Sequence, residues 1–447
     1  MDKDPQPHTV FIPLSLLDHC GTHHLDITLG YVLQRGPFDT SSLEDAASRL
    51  VERWRLLAGH IEWQSPSWCI RVPLGKIQPK DHINLTRDSH LIPLDTPVIS
   101  SSLSATVVSR PELKFFRHSS VPSSLSAYSK SKWLLSIHVT EFTNCICVGI
   151  SVPHVIFDIF GFGQIVRGLD AELNGREWVP PPLFIENIMK DALDDLVVGR
   201  NVPAQDTSIT EKALANLHRH LVPAKFINIA WALGCAAYEY FRHEVNTRAV
   251  FLESKMLDDI VTKVKEEAKQ LGNGWVSTGD ILVAWALKAA HLNENDDTKV
   301  SVVSAVSIRS VFEEKDPRFN VYTHNSLILA SYPLLSKQDI STKSLAELAI
   351  ISRQSIDAVR NTSFIQSFIR WVKSNGGGFV LALRNHQSSW GFSNHVIGRL
   401  DDIDFGLEKQ GIWFWSPPFL PDHTVVINKF KGGYLLQGNL RKSRWES

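Results

Sequence analysis

Hydrophobic positions along this chain repeat with two different periods, and the period changes mark its elements. Leu25, Ile27, Leu29, Tyr31 and Leu33 alternate through His23–Leu33, the spacing of a strand with a buried face. Asp39-Thr-Ser-Ser42 then offers a cap. Leu43, Ala46, Ala47, Leu50, Val51 and Trp54 follow at helical spacing, which predicts a helix running out at Leu56-Leu-Ala-Gly59. Short strands are expected around Ile61–Trp63 and Trp68–Val72. From about Gly75 to Lys132 proline and serine break the pattern, and Ser119–Ser131 reads as a surface loop.

Trp133–Val139 and Cys145–Val152 are two strand runs joined across Thr140–Asn144, the spacing of a hairpin. The second run leads through Ser151-Val-Pro-His154 to Asp158 and the glycine-punctuated stretch Ile159-Phe-Gly-Phe-Gly163. Phe160, Ile165, Val166, Leu169 and Leu173 predict a helix that stops at Asn174-Gly175. Trp178-Val-Pro-Pro-Pro182 opens a polar region reaching about residue 220, read as the crossover between two halves.

The longest apolar stretch is Phe226–Phe241. It contains Asn228 and Glu239 and is too short to span a bilayer, so it reads as a core helix or a lipid-free binding face. Ala249–Leu252 predicts a strand, followed by a helix capped by Ser254. Ser277-Thr-Gly-Asp280 caps another, Ile281–Ala290, apolar nearly all round and therefore buried. Val300–Ile308 alternates as a strand before Arg309, and Ser326–Ser331 reads as a strand too. Ser344 opens a helix towards Arg360. The last third returns to strands at Trp390–His395, Ile412–Phe414, Thr424–Ile427 and Tyr434–Leu440, with a turn at Gly432-Gly433. No fixed-period repeat is present. Mixed strands and helices in two comparable halves predict an α+β protein of two domains with a site in the cleft between them.

Length supports that division, because 447 residues exceed the size at which single cores stop growing. Lys plus Arg (46) nearly cancels Asp plus Glu (47), which argues against a nucleic-acid binder or a polybasic membrane patch. Five cysteines, Cys20, Cys69, Cys145, Cys147 and Cys235, are too few and too scattered for a disulfide framework. Their spacing completes no zinc site, so no metal is expected, and they read as reduced thiols of a cytoplasmic protein. The N-terminal Met1-Asp-Lys-Asp-Pro-Gln-Pro7 lacks the apolar core of a signal peptide.

His154 is the main candidate for chemistry. An imidazole at the end of a buried strand is placed to take a proton, since its ordinary pKa lies near neutrality. If the residues after it turn helical, Asp158 falls one turn on along the same face, where it can bond the ring or brace its loop. A lone His-x-x-x-Asp is common by chance, and a buried histidine is more often a satisfied core residue.

Four separated segments, in order, give the pair its weight. Leu14-Ser-Leu-Leu-Asp18 with Leu56-Leu-Ala-Gly59, His154-Val-Ile-Phe-Asp158, Thr278-Gly-Asp280 with the strand ending at Arg309, and Asp404-Phe-Gly406 together resemble the BAHD acyl-CoA-dependent acyltransferases. The likeness is strongest to the fungal branch that decorates secondary metabolites. The resemblance implies two similar chloramphenicol-acetyltransferase-like domains, each a mixed β-sheet with helices, and an active-site channel at their interface. The expected division is an N-terminal domain at 1–185, a crossover linker at 186–220 and a C-terminal domain at 221–447.

It also implies an acyl group, acetyl by preference, moved from acyl-CoA to a hydroxyl or amine of a small secondary metabolite. His154 is then the general base, with no covalent intermediate and no permanently bound cofactor. Asp158 becomes a structural residue paired with Arg309. Asp404 and Gly406 sit in a loop that holds the domains together, and Asn325 lines the channel unless it is only a turn residue. The expected protein is a monomer that meets a small acceptor and acyl-CoA, without nucleic acid or membrane insertion.

The chain departs from the family at three places. DFGWG appears as Asp404-Phe-Gly-Leu-Glu408, Ile159 follows Asp158 where glycine is common, and Asn394-His395 replace Ser-Trp. Two rival readings are a condensation-type catalyst with a carrier-tethered donor and a non-catalytic small-molecule-binding relative. The first favours a second histidine before the catalytic one and a glycine after the aspartate, positions held here by Pro153 and Ile159. An intact His154 weighs against the second.

Overall fold

The computed structural model of the protein describes residues 9–19, 26–65, 67–95, 105–198, 207–272, 275–294, 296–381, 388–415 and 424–445. Two mixed sheets dominate it. The first has five strands in the order Lys409–Trp415, Asp26–Gln34, Cys145–Pro153, Leu135–Glu141 and Ile83–Ser89. Only its last pair is parallel. The second runs Leu327–Ser331, Lys299–Ser307, Ser388–Asn394, Thr424–Phe430, Gly433–Arg441, Val245–Leu252 and Ala105–Ser109, with Leu335–Ser336 added beside Lys299–Ser307. In it Ser388–Asn394 lies parallel to both neighbours.

Each sheet takes one strand from the other half of the chain. Lys409–Trp415 pairs antiparallel with Asp26–Gln34, and Ala105–Ser109 pairs with Val245–Leu252. This exchange ties the halves together by main-chain hydrogen bonds, so the space between the sheets has walls from both.

Local chemistry accounts for the elements that carry the site. Every residue of Cys145–Pro153 is buried, and a strand covered on both faces reads as an unbroken apolar run. The helix Thr40–Arg53 starts where the Asp39 carboxylate accepts the backbone N–H groups of Ser41 and Ser42. It buries Leu43, Ala46, Ala47, Leu50 and Val51 against the same cluster as the five-stranded sheet and the helix Ile159–Leu173. A second cluster packs Ser254–Gln270, Thr278–His291 and Leu345–Val359 on the larger sheet. Ser277 with Asp280, and Ser344 with Glu347, form capping boxes.

The structure revises several expectations. Gly75–Lys132 contains the strands Ile83–Ser89 and Ala105–Ser109. Ile83–Ser89 sits at a sheet edge, where only part of its surface is covered and Arg87, Asp88 and Ser89 stay exposed, so no apolar run announces it. Ser119–Ser131 folds back through the short helix Leu125–Tyr128, with Val121, Leu125 and Tyr128 buried. The region read as a polar crossover holds the helices Ile188–Val198 and Thr207–His220, which share a third cluster with Thr362–Ser374. Glu253, not Ser254, occupies the cap position of its helix and makes no side-chain cap bond.

The helix Phe226–Arg242 is no core helix, since Phe226, Ile227 and Phe241 stand in solvent. Cys69, Cys145 and Cys147 are thiols. Cys20, the start of the His23–Leu33 strand and the N-terminal Met1–Pro7 lie outside the described residues. No helix among the described residues is long and apolar enough to cross a membrane.

Gly161 and Gly163 let the helix Ile159–Leu173 touch the other half of the chain. A Cβ on Gly161 would lie 2.0 Å from the Thr323 carbonyl oxygen, and one on Gly163 would lie 2.2 Å from that of Gly398. Both obstacles are backbone, which cannot swing aside. Gly161→Ala is therefore expected to lower stability by about 1–3 kcal/mol through forced separation at this contact. A drop in the urea midpoint checks it, and an unchanged midpoint would show that the contact yields.

Candidate active site

His154 follows directly from the buried strand, after Pro153, and residues 154–156 form a turn rather than a helix. Asp158 is the N-cap of the helix Ile159–Leu173. The expected shared helical face of His154 and Asp158 is thus absent, because the helix begins only after the aspartate. Pro153 and the pull of Asp158 on the first helical N–H groups both favour that starting point. Phe157 forms an isolated antiparallel bridge with His324, fastening the turn to the C-terminal half.

Asp158 braces the loop and makes no bond to the imidazole. Its Oδ1 accepts from the N–H of Phe160 at 3.1 Å and of Gly161 at 3.3 Å. Arg309 Nη2 reaches both carboxylate oxygens at 2.9 Å. The Ser326 N–H and hydroxyl complete the set on Oδ2 at 3.2 and 3.4 Å. Asp158 is 1% and Arg309 6% exposed, so two charges are held almost wholly out of water.

Arg309 is equally occupied. Nε donates to the Tyr322 carbonyl at 2.8 Å, Nη2 to the His324 carbonyl at 2.7 Å, and Nη1 to Ser307 Oγ at 3.2 Å. Its guanidinium lies 4.6 Å from the ring centroid of Phe160. One cation thereby joins the helix cap of one half to the Tyr322–Ser326 segment of the other.

The bonds around His154 settle its proton. Nδ1 lies 3.0 Å from the Phe157 carbonyl oxygen, and a carbonyl can only accept, so Nδ1 carries the hydrogen. Nε2 is left with its lone pair, and no hydrogen bond to it is made among the described residues. Burial pushes the His154 pKa below its ordinary value, while the Asp158 charge works against that fall. Burial is the larger effect, so the ring is neutral near neutral pH.

Asn325 lies behind His154 and does not line the cavity. Its Nδ2 donates to the His154 carbonyl at 2.7 Å, and its backbone N–H donates to Asp18 Oδ1 at 3.2 Å. Asp18 also accepts the Ser15 N–H at 2.6 Å. Deep burial raises its pKa to about 7 despite these donors. A chain Asp18–Asn325–His154 thus fixes the main chain at the ring. Asp18 was visible as part of a motif, but its link to Asn325, 307 residues away, has no local signal.

Between the sheets lies a cavity of about 370 Å³. Ile27, His154 and Phe160 wall it on one side, Val306, Phe392 and His395 on the other. Farther along, Ser277, Asp280 and Arg353 contribute a polar wall. Arg353 Nη2 pairs with Asp280 Oδ2 at 2.9 Å, and its guanidinium lies 4.8 Å from the Trp275 ring centroid. Asp280 had been noted in the sequence, whereas Arg353 sits in an ordinary amphipathic helix with nothing to mark it.

His395 shares the cavity with His154. Its Nε2 lies 3.0 Å from Ser393 Oγ, and its ring meets Phe414 edge-on at 4.4 Å. Burial, and the neighbouring His154, push its pKa down to about 3. His395 therefore stays neutral, and a protonated His154 has no second positive imidazole beside it.

Asp404 and Gly406 lie outside the cavity. Asp404 Oδ1 accepts the Gly406 N–H at 2.9 Å, and Phe405 and Gly406 both adopt positive φ, 52° and 76°. The Phe405 N–H donates to Asp170 Oδ1 at 2.9 Å, and its ring meets Tyr31 edge-on at 5.2 Å. This turn clamps the C-terminal segment onto the N-terminal helix and sheet. Among the described residues, no group of three or more His, Cys, Asp or Glu is placed to hold a metal ion.

A family model described as "Transferase family" matches residues 114–417. Two curated fungal relatives resemble most of the chain. Acetyltransferase BOT5 of Botryotinia fuckeliana is 23% identical over 403 residues, covering 84% of this chain and 71% of its own. Acetyltransferase pyiB of Pyricularia grisea is 22% identical over 394 residues, covering 85% and 75%. Among solved structures, TRI101 of F. graminearum complexed with coenzyme A and T-2 mycotoxin superposes with a TM-score of 0.69 at 14% identity, covering 98% of this chain and 96% of that one. Vinorine synthase gives 0.60 at 14% identity, covering 100% and 93%. At such identities these structural likenesses establish the shared two-domain fold.

A buried ion pair deprived of one partner costs about 3–5 kcal/mol. Asp158→Asn and Arg309→Gln should each lose about that much, and the double variant should lose less than the sum. Chemical denaturation of the three variants measures the coupling. Strict additivity would show that the two charges stabilise the protein independently.

Proposed function

The chain belongs to the Transferase family of BAHD-type acyl-CoA-dependent acyltransferases, and from that premise we propose that His154 is the general base of acyl transfer to a small-molecule acceptor. The observation that carries this reading is the bond from Nδ1–H to the Phe157 carbonyl, which reserves Nε2 for an incoming proton. The cavity brings both halves of the chain around that nitrogen.

The reaction proceeds in one covalent exchange. The acceptor hydroxyl or amine gives its proton to His154 Nε2 as its heteroatom attacks the thioester carbonyl. A tetrahedral oxyanion forms, then collapses with loss of the C–S bond. The CoA thiolate takes the proton from His154, so the enzyme ends as it began. Acetyl is the proposed donor group, since relatives are named acetyltransferases. A solved neighbour holds coenzyme A together with a mycotoxin, which supports a hydroxylated secondary metabolite as the acceptor class.

Asp158 and Arg309 serve by holding the loop, Asn325 and Asp18 by holding the His154 main chain. Asp404 and Gly406 serve by clamping the two domains, for which we propose 1–185 and 221–447 joined by 186–220. We propose a monomer, since the two halves of one chain supply residues on both sides of the cavity. The condensation-type alternative gains nothing from the geometry, since Pro153 and Ile159 stand where it would place histidine and glycine.

With acetyl-CoA and a panel of alcohol and amine acceptors, His154→Ala should lower kcat by about a hundredfold to ten-thousandfold with folding intact. Release of free CoA thiol reads it, and turnover equal to wild type would overturn the assignment. The acid limb of kcat/KM should fall below the ordinary histidine pKa of 6.5, because burial dominates the shift. An acid limb above that value would mean that a different group takes the proton.

A further inference from the structure

The helix Phe226–Arg242 plays no part in the cavity, yet it gathers large apolar side chains in solvent more densely than any other element. Phe226 is 88%, Ile227 73% and Phe241 93% exposed, with Ile229, Leu233 and Tyr238 also exposed. The helix packs on the short strand Phe379–Leu381, so one side is seated and the other is bare. We propose that this helix lies along an anionic lipid surface, its apolar side chains entering the boundary between headgroups and acyl chains.

Three observations select lipid over a protein partner. At about 100° per residue, those six positions spread over an arc of roughly 180°. A groove that receives a helix grips a narrower stripe, whereas a helix lying in an interface presents half its circumference. Two basic side chains flank the helix, against one acidic residue, Glu239, within it. Lys225 and Arg242, both exposed, stand at the two ends of the helix, about 25 Å apart. Long basic side chains at those places reach anionic headgroups while their stems follow the apolar arc.

The composition of the arc completes the fit. Aromatic Phe226, Tyr238 and Phe241 mix with aliphatic residues, as suits the depth at which headgroups meet chains. At 17 residues the helix lies on such a surface and does not cross it. The proposal is independent of the acyl-transfer reading, because it concerns none of the cavity residues.

Vesicle sedimentation tests it. The full chain is mixed with sucrose-loaded vesicles of phosphatidylcholine alone or of phosphatidylcholine with phosphatidylserine. The expected result is binding to the anionic vesicles, weakened by salt and by omission of phosphatidylserine. A Phe226→Ser, Ile227→Ser, Phe241→Ser variant should lose roughly tenfold or more in partitioning. A Lys225→Glu, Arg242→Glu variant should lose the preference for anionic lipid. Circular dichroism and thermal melts confirm that both variants fold. No sedimentation of the wild type with either vesicle would overturn the proposal. So would a wild-type dimer that the serine variant renders monomeric while lipid leaves it untouched, for the face would then belong to a second copy of the chain.

Discussion

The bond between Asp158 and Arg309 is the constraint on which the site depends. Drawing a carboxylate and a guanidinium together out of water carries a large desolvation cost, recovered only if nearly every remaining lone pair and N–H is used. Here they are used. The carboxylate receives two helix-cap N–H groups and two groups of Ser326 beside the arginine, while the arginine serves two carbonyls and a hydroxyl as well. The pair belongs to both halves, so the turn bearing His154 keeps its geometry only while the halves stay in register.

That register is held elsewhere by devices of a different kind. The reciprocal exchange of edge strands supplies main-chain hydrogen bonds, and Gly161 and Gly163 allow backbone to meet backbone across the join. The Asp404–Gly406 turn adds a clamp through Phe405 and Asp170. The glycines and the Asp404–Gly406 turn stay outside the cavity, while the strand pair formed by the exchange brings Ile27 and Phe414 to its wall. The ring nitrogen facing its chemistry is thus positioned by contacts drawn from residues 18 to 406, an arrangement suited to a transfer that depends on orientation more than on a reactive nucleophile.

Elements whose cause is local were legible in the sequence. The helix after Asp39 could be read because cap and periodicity agree, and the strand before His154 because burial on both faces leaves an unbroken apolar run. The strand Ile83–Ser89 escaped because an edge strand is only half covered. Strand exchange escaped because pairing partners lie hundreds of residues apart and periodicity names no partner. At the site, His154, Asp158 and Arg309 were marked by motif order, and the structure brings the last two together. Arg353 and the Asp18–Asn325 link carry no local mark. Of the two readings of the apolar stretch Phe226–Phe241, the core helix failed for a related reason, since apolar content shows how much surface wants cover and says nothing of what covers it.

The central claim is that the fold reserves the lone pair of His154 Nε2 for a proton by fixing the hydrogen on Nδ1. Nitrogen-15 NMR of the histidine side chains, with His154 assigned by comparison to a His154→Gln variant, measures this directly. The account predicts a neutral His154 near neutral pH, with a protonated, pyrrole-like Nδ1 and an unprotonated, pyridine-like Nε2. A resonance pair showing the hydrogen on Nε2, or an imidazolium at that pH, would contradict it.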